Sequence, residues 1–395
     1  MAIIKSFLNL FRSGKREEEE ERLRTQKERY ENFLKALTEG DLDTRWNAVR
    51  SVGDLGEPFI EPLIRGLQDE YWVIRRGSAD TLGKIGAPAV NPLIEALSEP
   101  GDDIRQETIR ALMLIGEPSF APLVGATKHN HPFIRRGAVQ ALGNMGDARA
   151  VHPLIEALKD PDAGVRREAA MALGRIGDAQ SVGPLIESLN DAKEPVRMAA
   201  MATLCALGEL SIEPLIRALV DPVEDVQRRS ALALVTIGET SVEPLIRAMG
   251  DTNAGIRKGA AEVIGQIGNT KAVPVIIEAL NDSDRAVRIE VVKALANIGV
   301  PTIAPLMQIF REGDLRVRTG AMEALWMIGQ PATTPLIMVL KDNQSDVRKR
   351  AALLLGEIGD AKAIDHLTSL LADENVAVRR EAFEALEMIK KRGVH

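Results

Sequence analysis

The sequence predicts an all-α solenoid, a right-handed superhelix of about twelve stacked helical hairpins, and three observations carry that prediction. A pattern of 30 or 31 residues recurs along nearly the whole chain. Glycine and proline punctuate it at fixed places. The composition is also helical: of 395 residues, 45% are apolar and 27% charged but only 3% aromatic, so a large core must be assembled from Ala, Leu, Ile and Val.

The pattern is plainest from Pro153 to Asp160 and from Val165 to Gly177. Its closing glycine recurs at Gly56, Gly86, Gly116, Gly146, Gly177, Gly208, Gly238, Gly268, Gly299, Gly329 and Gly359. The first unit has Asn32 where later units have proline, and the last has Lys390 where they have glycine. End units that break the pattern are expected of a capped array, because one face of each lies in water. The expected organisation is a lead-in segment over residues 1–29 and one continuous solenoid over residues 30–395.

Each element follows from this punctuation. Proline near the start of a unit (Pro62, Pro92, Pro122, Pro153, Pro184, Pro214, Pro244, Pro305, Pro335) suits the first turn of a helix, where a missing N–H costs nothing. That gives a short helix A of about eight to ten residues. An acidic residue opens a polar loop, helix B follows with apolar residues three and four apart, and the closing glycine stops it in a left-handed conformation. Neither helix can bury its apolar face alone. The hairpins must therefore stack, with neighbouring helices about 8–10 Å apart.

One register of helix B carries Arg45, Arg75, Arg105, Arg135, Arg166, Arg197, Arg257, Arg288, Arg318, Arg348 and Arg379, with Gln227 in the remaining unit. Six residues earlier stand Glu39, Asp69, Glu99, Asp160, Asp191, Asp221, Asp251, Asp282, Glu312, Asp342 and Asp373, and His129 alone breaks that column. The carboxylate is placed to accept orphan N–H groups at the start of helix B, and the guanidinium to bridge to a carboxylate or carbonyl of an adjacent layer. Because the pair recurs in nearly every unit, it reads as a structural ladder and not as a catalytic site.

With these columns and glycines the units resemble HEAT repeats of the short kind found in phycobilin lyase subunits and in deoxyhypusine hydroxylase, over about residue 30 to residue 390. The resemblance implies the solenoid fold and an inter-repeat Asp–Arg ladder. It does not imply an activity, because a solenoid is a scaffold on which unrelated sites are placed. The hydroxylase relatives bind two irons through His-Glu pairs at the start of helix B. Here the equivalent dipeptides are Gln106-Glu107, Arg167-Glu168, Ile289-Glu290 and Arg380-Glu381, and no His-Glu dipeptide occurs anywhere. Without imidazole a di-iron centre has no home, and neither metal nor cofactor is expected.

Other chemistry is sparse. The lone Cys205 excludes an intramolecular disulfide and a Cys-based metal site. His129 and His131 share a loop, His152 lies a helix length away, and His366 and His395 are farther along the chain, so no three histidines converge. There is no phosphate loop, nucleophile elbow or zinc-protease helix. No stretch approaches the roughly 18 to 20 apolar residues of a membrane span. The formal charge of -7 gives no general attraction to nucleic acid. The expectation is a soluble, cytoplasmic, non-catalytic scaffold for protein partners, with no small-molecule substrate. An enzyme subunit of the bilin lyase or hydroxylase kind and a nucleic-acid-binding repeat protein are the alternatives.

With the ladder arginine as position zero, positions plus 1, plus 5 and plus 9 form the exposed ridge of helix B, expected on the concave side. The outer units carry mixed charge there: Asp54, Asp80, Glu262, Glu323 and Glu384 against Arg50, Lys84, Lys258, Lys293 and Arg380. The middle units present Met171, Met198, Ala202, Ala206 and Leu232, bordered by Arg167, Arg175, Arg228 and Arg229. An apolar strip rimmed by arginine is what protein interfaces favour, which makes it the expected partner site; the alternative is that curvature closes over these residues and they are core. Trp326, Met327 and Leu353 form a second, weaker candidate surface, but Trp326 replaces the small residue usual at plus 8 and the preferred expectation is that it packs in the core.

At the N-terminus, Ile3, Ile4, Phe7, Leu8, Leu10 and Phe11 fall on one arc of a helix, with Lys5, Ser6, Asn9 and Arg12 on the other. Three uses stay open for this amphipathic start: a cap on the first unit, a membrane-surface contact through residues 2–13 that would make the protein peripheral, or a fit to a partner's groove. Glu17 to Glu21 lead on as a solvated helix, with Glu18 and Glu20 each four residues before Arg22 and Arg24.

Overall fold

Short helices A alternate with longer helices B, without a strand among the described residues, in the computed structural model, which describes residues 2–52 and 56–392 and the side chains from residue 21 onward. Twelve hairpins run from Ala2–Glu39 with Leu42–Ser51 to Ile364–Ser369 with Val376–Lys391. The fold is an all-α solenoid. Its hairpins fall into two compact units, Met1–Pro184 with Ala192–Thr203, and Leu185–Asp191 with Leu204–His395.

Within each unit the core is a column of small and branched side chains. In the first unit Val165, Ala169, Ala172 and Leu173 of one helix B are fully buried beside Leu154 of its helix A; in the second, Val287, Val291 and Leu295 pack with Ile276 in the same way. Each fully buried Val, Leu or Ile is worth about 1.5–3 kcal/mol, which is why hairpins of this size fold only when stacked.

The closing glycines explain the two repeat lengths. All eleven have positive φ. Gly146, Gly177, Gly268 and Gly359 adopt the left-handed helical conformation, with ψ of 16°, 25°, 21° and 24°. Behind each stands Asp147, Asp178, Asn269 or Asp360, whose side chain accepts the N–H two residues on and caps the 3-10 turn that opens the next helix A. That capping residue is the extra one: the period is 31 after these four glycines and 30 after the others. In the shorter turns ψ is near its extended opposite, as at Gly116 (-131°) and Gly299 (-131°). In four of these shorter turns a buried hydroxyl does the capping, as where Ser119 donates to the Leu112 carbonyl (2.8 Å) and Thr302 to the Leu295 carbonyl (3.1 Å) near the end of helix B.

Proline falls where expected in most layers, as the third residue of Ile60–Gly66, Val90–Ala96 and Val151–Ala157. Pro122 and Pro214 instead lie inside Glu117–Ala126 and Glu209–Arg217, because in those layers the helix starts directly after the closing glycine without a separate 3-10 turn.

A second glycine, at plus 8 of helix B, sets how closely successive helices B approach. A β-carbon on Gly143 would lie 2.7 Å from the Cα of Ala172, one on Gly265 2.6 Å from the Cα of Ala294, and one on Gly356 2.7 Å from the Cα of Ala385. At these places, and at Gly83, adjacent helices B touch along much of their length. Where Met113, Val235, Ala296 or Trp326 holds the register, contact is sparser, and between Leu315–Ile328 and Ser345–Ile358 it shrinks to a few points.

The amphipathic start and the first helix A are one 38-residue helix, Ala2–Glu39. Residues 21–29 are exposed, and burial begins where Tyr30 and Phe33 meet Phe59, ring centroids 5.9 and 5.3 Å apart. The side chains of Ile3, Ile4, Phe7, Leu8 and Phe11 lie outside the described residues. No single helix among the described residues is long and apolar enough to cross a membrane.

Candidate partner-binding surface

The ladder that holds the helix B face in register has two halves. In most layers the arginine first reaches back into its own hairpin: Nη1 donates to the main-chain carbonyl of the residue six positions earlier, from Arg166 to Asp160 (2.7 Å), Arg257 to Asp251 (2.8 Å), Arg288 to Asp282 (2.7 Å), Arg348 to Asp342 (2.8 Å) and Arg379 to Asp373 (2.6 Å). The free edge of the guanidinium then forks onto the carboxylate of the next hairpin, Arg135 on Asp160 (2.6 and 2.8 Å), Arg257 on Asp282 (2.7 and 2.8 Å) and Arg348 on Asp373 (2.8 and 2.9 Å). These three forks occur where plus 8 is glycine. Through them Arg257 and Arg348 hold the carboxyls of Asp282 and Asp373 below the usual carboxylate range.

Two details correct the sequence reading. The carbonyl partner belongs to the arginine's own layer. The acidic column also does not cap helix B; it accepts the N–H two residues on, at Asp162, Asp284 and Asn375, and those residues in turn cap the helix. This explains the two exceptions to the columns. His129 accepts the His131 N–H on Nδ1 (3.0 Å), keeping the loop-closing half of an aspartate's work. Gln227 keeps the bond to the Asp221 carbonyl (2.6 Å).

Elsewhere rungs are rerouted. Arg105 turns to Asp102 in the first turn of its own helix. Arg288 has no carboxylate partner among the described residues, because Glu312 ends the longer helix Ile303–Glu312. Asp342 is taken by Arg311 (2.9 Å), and Arg197 bonds Glu194.

On the exposed ridge the first unit presents Met198, 47% exposed, and exposed Ala202. Arg167 and Met171, expected on the open ridge, are half-buried, and Arg175 is tied to the buried Glu168 (Nη1–Oε1 3.2 Å). In the second unit Leu232 is 47% exposed beside Arg228, which pairs with Asp225 (2.6 Å). Trp326 is 50% exposed and Met327 46%, so core packing does not account for Trp326. Its bulk separates the helices instead.

The first unit also holds a groove that sequence reasoning missed. About 640 Å³ in volume, it runs over the first three helices B between Trp46 and Leu114. In sequence the ridge there carries Asp54 and Asp80 against Arg50 and Lys84. The structure separates them: Arg110 takes up Asp80 (Nε–Oδ1 3.0 Å, Nη2–Oδ1 2.9 Å), whereas Arg50 stacks over Trp46 (5.4 Å) and Lys84 stands exposed. Asp54 lies outside the described residues.

The sequence profile of HEAT repeats matches residues 30–113, 90–170, 120–205, 151–235, 212–286, 242–326, 273–352 and 333–394. The chain belongs to the HEAT-repeat family. No curated protein matches it. Among solved structures it is similar to an engineered protein at 20% identity, covering 92% of this chain and 99% of that one with a TM-score of 0.24. It is similar to importin β at 16% identity, covering 92% of this chain and 55% of that one with a TM-score of 0.38. It is also similar to human deoxyhypusine hydroxylase in complex with glycerol at 21% identity, covering 77% of this chain and 97% of that one with a TM-score of 0.26. HEAT solenoids commonly serve as protein-interaction scaffolds.

In this HEAT array the glutamates at the hydroxylase-equivalent positions face basic side chains. Glu168 pairs with Arg175, Glu290 with Lys293 (3.1 Å) and Glu107 with Arg76 (3.5 Å), while burial pushes the Glu381 carboxyl up. Among the described residues no three His, Cys, Asp or Glu side chains group as metal ligands. Burial also pushes up the Cys205 thiol, which makes it a poor nucleophile.

Proposed function

We propose that the protein is a non-catalytic, cytoplasmic scaffold that holds protein partners on the solvent-facing ridge of its helices B. One observation carries this reading: large apolar side chains stand exposed at ridge positions that need only be polar for the repeat to fold, Met198 in the first unit and Leu232 in the second, each 47% exposed. Exposed Met and aromatic anchors near arginine are the composition of interface cores. The enzyme reading is disfavoured because Glu107, Glu168 and Glu290, which would each join an imidazole, pair with Arg76, Arg175 and Lys293. A nucleic-acid reading needs uniform basic charge, which a ridge carrying Glu262, Glu323 and Glu384 lacks.

The test is affinity capture from the source cell followed by mass spectrometry, with Met198→Glu and Leu232→Glu made separately. Each exposed substitution should leave helicity intact and shift stability by no more than about 0.5 kcal/mol, while at least one removes the partner. Stoichiometric iron by elemental analysis, a bound chromophore, or partner capture untouched by both substitutions would overturn the proposal.

A further inference from the structure

We infer that the groove over the first three helices B docks an acidic peptide segment carrying one apolar anchor side chain. This deepens the scaffold reading, on which it rests, by assigning the chemistry of a partner to a place distinct from Met198 and Leu232.

The groove is shaped by two glycines. A β-carbon on Gly77 would lie 2.8 Å from the Trp46 ring, and one on Gly83 2.6 Å from the Leu114 Cβ, so the absence of side chains there lets the indole and the leucine lie against the neighbouring helix backbone. Trp46 is half-buried and Leu114 is 49% exposed, so the apolar ends are reachable from solvent. At about 640 Å³ the groove is large enough for more than one side chain.

Its charge selects the occupant. The carboxylate in the groove, Asp80, is taken up by Arg110, and the nearby Glu107 lies 3.5 Å from Arg76. Arg50 and Lys84 have no ion-pair partner among the described residues, and both are exposed. The groove therefore offers a positive rim whose own acids are already neutralised, on a chain whose net charge is -7. A segment with Asp or Glu flanking a Leu, Ile, Met or Phe matches both features, its anchor between Trp46 and Leu114 and its carboxylates at Arg50 and Lys84. A bare polyanion would match the rim and leave the apolar ends unused.

The experiment is selection of a random dodecapeptide phage library on the immobilised full chain, followed by fluorescence anisotropy with the synthetic peptide of the strongest clone. Enriched peptides should carry at least two acidic residues around one apolar residue. Affinity should fall roughly tenfold or more in the Arg50→Glu/Lys84→Glu double variant and in Leu114→Ser, with thermal midpoints near that of the parent. It should also fall as salt rises from about 50 to 500 mM.

Enrichment lacking acidic residues, no enrichment, or affinity kept within twofold by both variants would overturn the inference. So would equal binding of a twelve-nucleotide oligo-dT, which would make the rim a general polyanion patch. Peptides lost in Met198→Glu but kept in Arg50→Glu/Lys84→Glu would overturn this inference while leaving the scaffold reading intact.

Discussion

Two interfaces in the second unit carry opposite residues at one helix B register, glycine in one and tryptophan in the other, and are built differently around it. Between Ala254–Ile267 and Arg285–Ile298, Gly265 brings the backbones together and Arg257 forks onto Asp282. Between Leu315–Ile328 and Ser345–Ile358, Trp326 stands at the same register, half exposed, while Arg318 turns back to the Gly313 carbonyl and Asp342 goes to Arg311. A helical glycine costs about 1 kcal/mol in propensity relative to alanine. Here that loss is offset by an approach close enough for the next layer's carboxylate to reach the guanidinium.

Filling the close interface should have the largest effect. Gly265→Leu puts a side chain where a β-carbon already lies 2.6 Å from a backbone atom, and it should cost at least the upper part of the usual 1–3 kcal/mol for overpacking, read as a fall in denaturant midpoint. Gly125, with nothing within 4 Å of its β-carbon position, is the control: Gly125→Ala should be neutral or stabilise by up to about 1 kcal/mol.

Removing the rung comes next. Arg257→Ala strips the fork from Asp282 and should cost about 1–3 kcal/mol, whereas Arg288→Ala, which loses only carbonyl bonds, should cost less. Equal costs would show that the carboxylate half of the ladder contributes nothing. The acid side sharpens this. Arg257 depresses the Asp282 carboxyl, so its contribution is fully present above about pH 3.9 and is lost as pH falls through the lower folded value. Below about pH 4 the parent should therefore lose stability more steeply than Arg257→Ala. The smallest effect belongs to the open interface, where Trp326→Ala should cost under about 1 kcal/mol against the 3–5 kcal/mol of a buried aromatic.

Much of this was legible in the sequence because the repeat averages it. Eleven glycines at one register, and arginines six residues after acids, specify the hairpins and the ladder positions almost without structure, whereas the left-handed helical turn expected at every closing glycine holds at only Gly146, Gly177, Gly268 and Gly359. The partners within each rung were not legible, because whether Arg166 meets the carboxylate or the carbonyl of Asp160 depends on whether the preceding layer's guanidinium lies close enough to occupy the carboxylate. Arg135 arrives at the carboxylate, and Arg166 takes the carbonyl. Trp326 stands exposed for a related reason: a large side chain at a register that holds glycine in the close interfaces keeps the neighbour away instead of burying itself. The Trp46 groove was hidden because a tally of signs cannot tell that Asp80 is spoken for while Lys84 is not. Its signal was the pair Gly77 and Gly83 beside aromatic and aliphatic ridge residues.

The alternation of close and open contacts also gives the second unit a mechanical grain. Layers locked by a glycine and a forked rung, such as 254–298 and 345–391, act as stiff two-layer laminae, and the sparse contact at Trp326 is a compliant joint beside one of them. Under tension or thermal agitation, strain concentrates in such a joint while the laminae move as blocks, because coupling in a repeat array passes only between neighbours. Anything that grips both sides of the joint fixes its angle, so the unit works less like a uniform rod than like a leaf spring whose stiffness is set layer by layer.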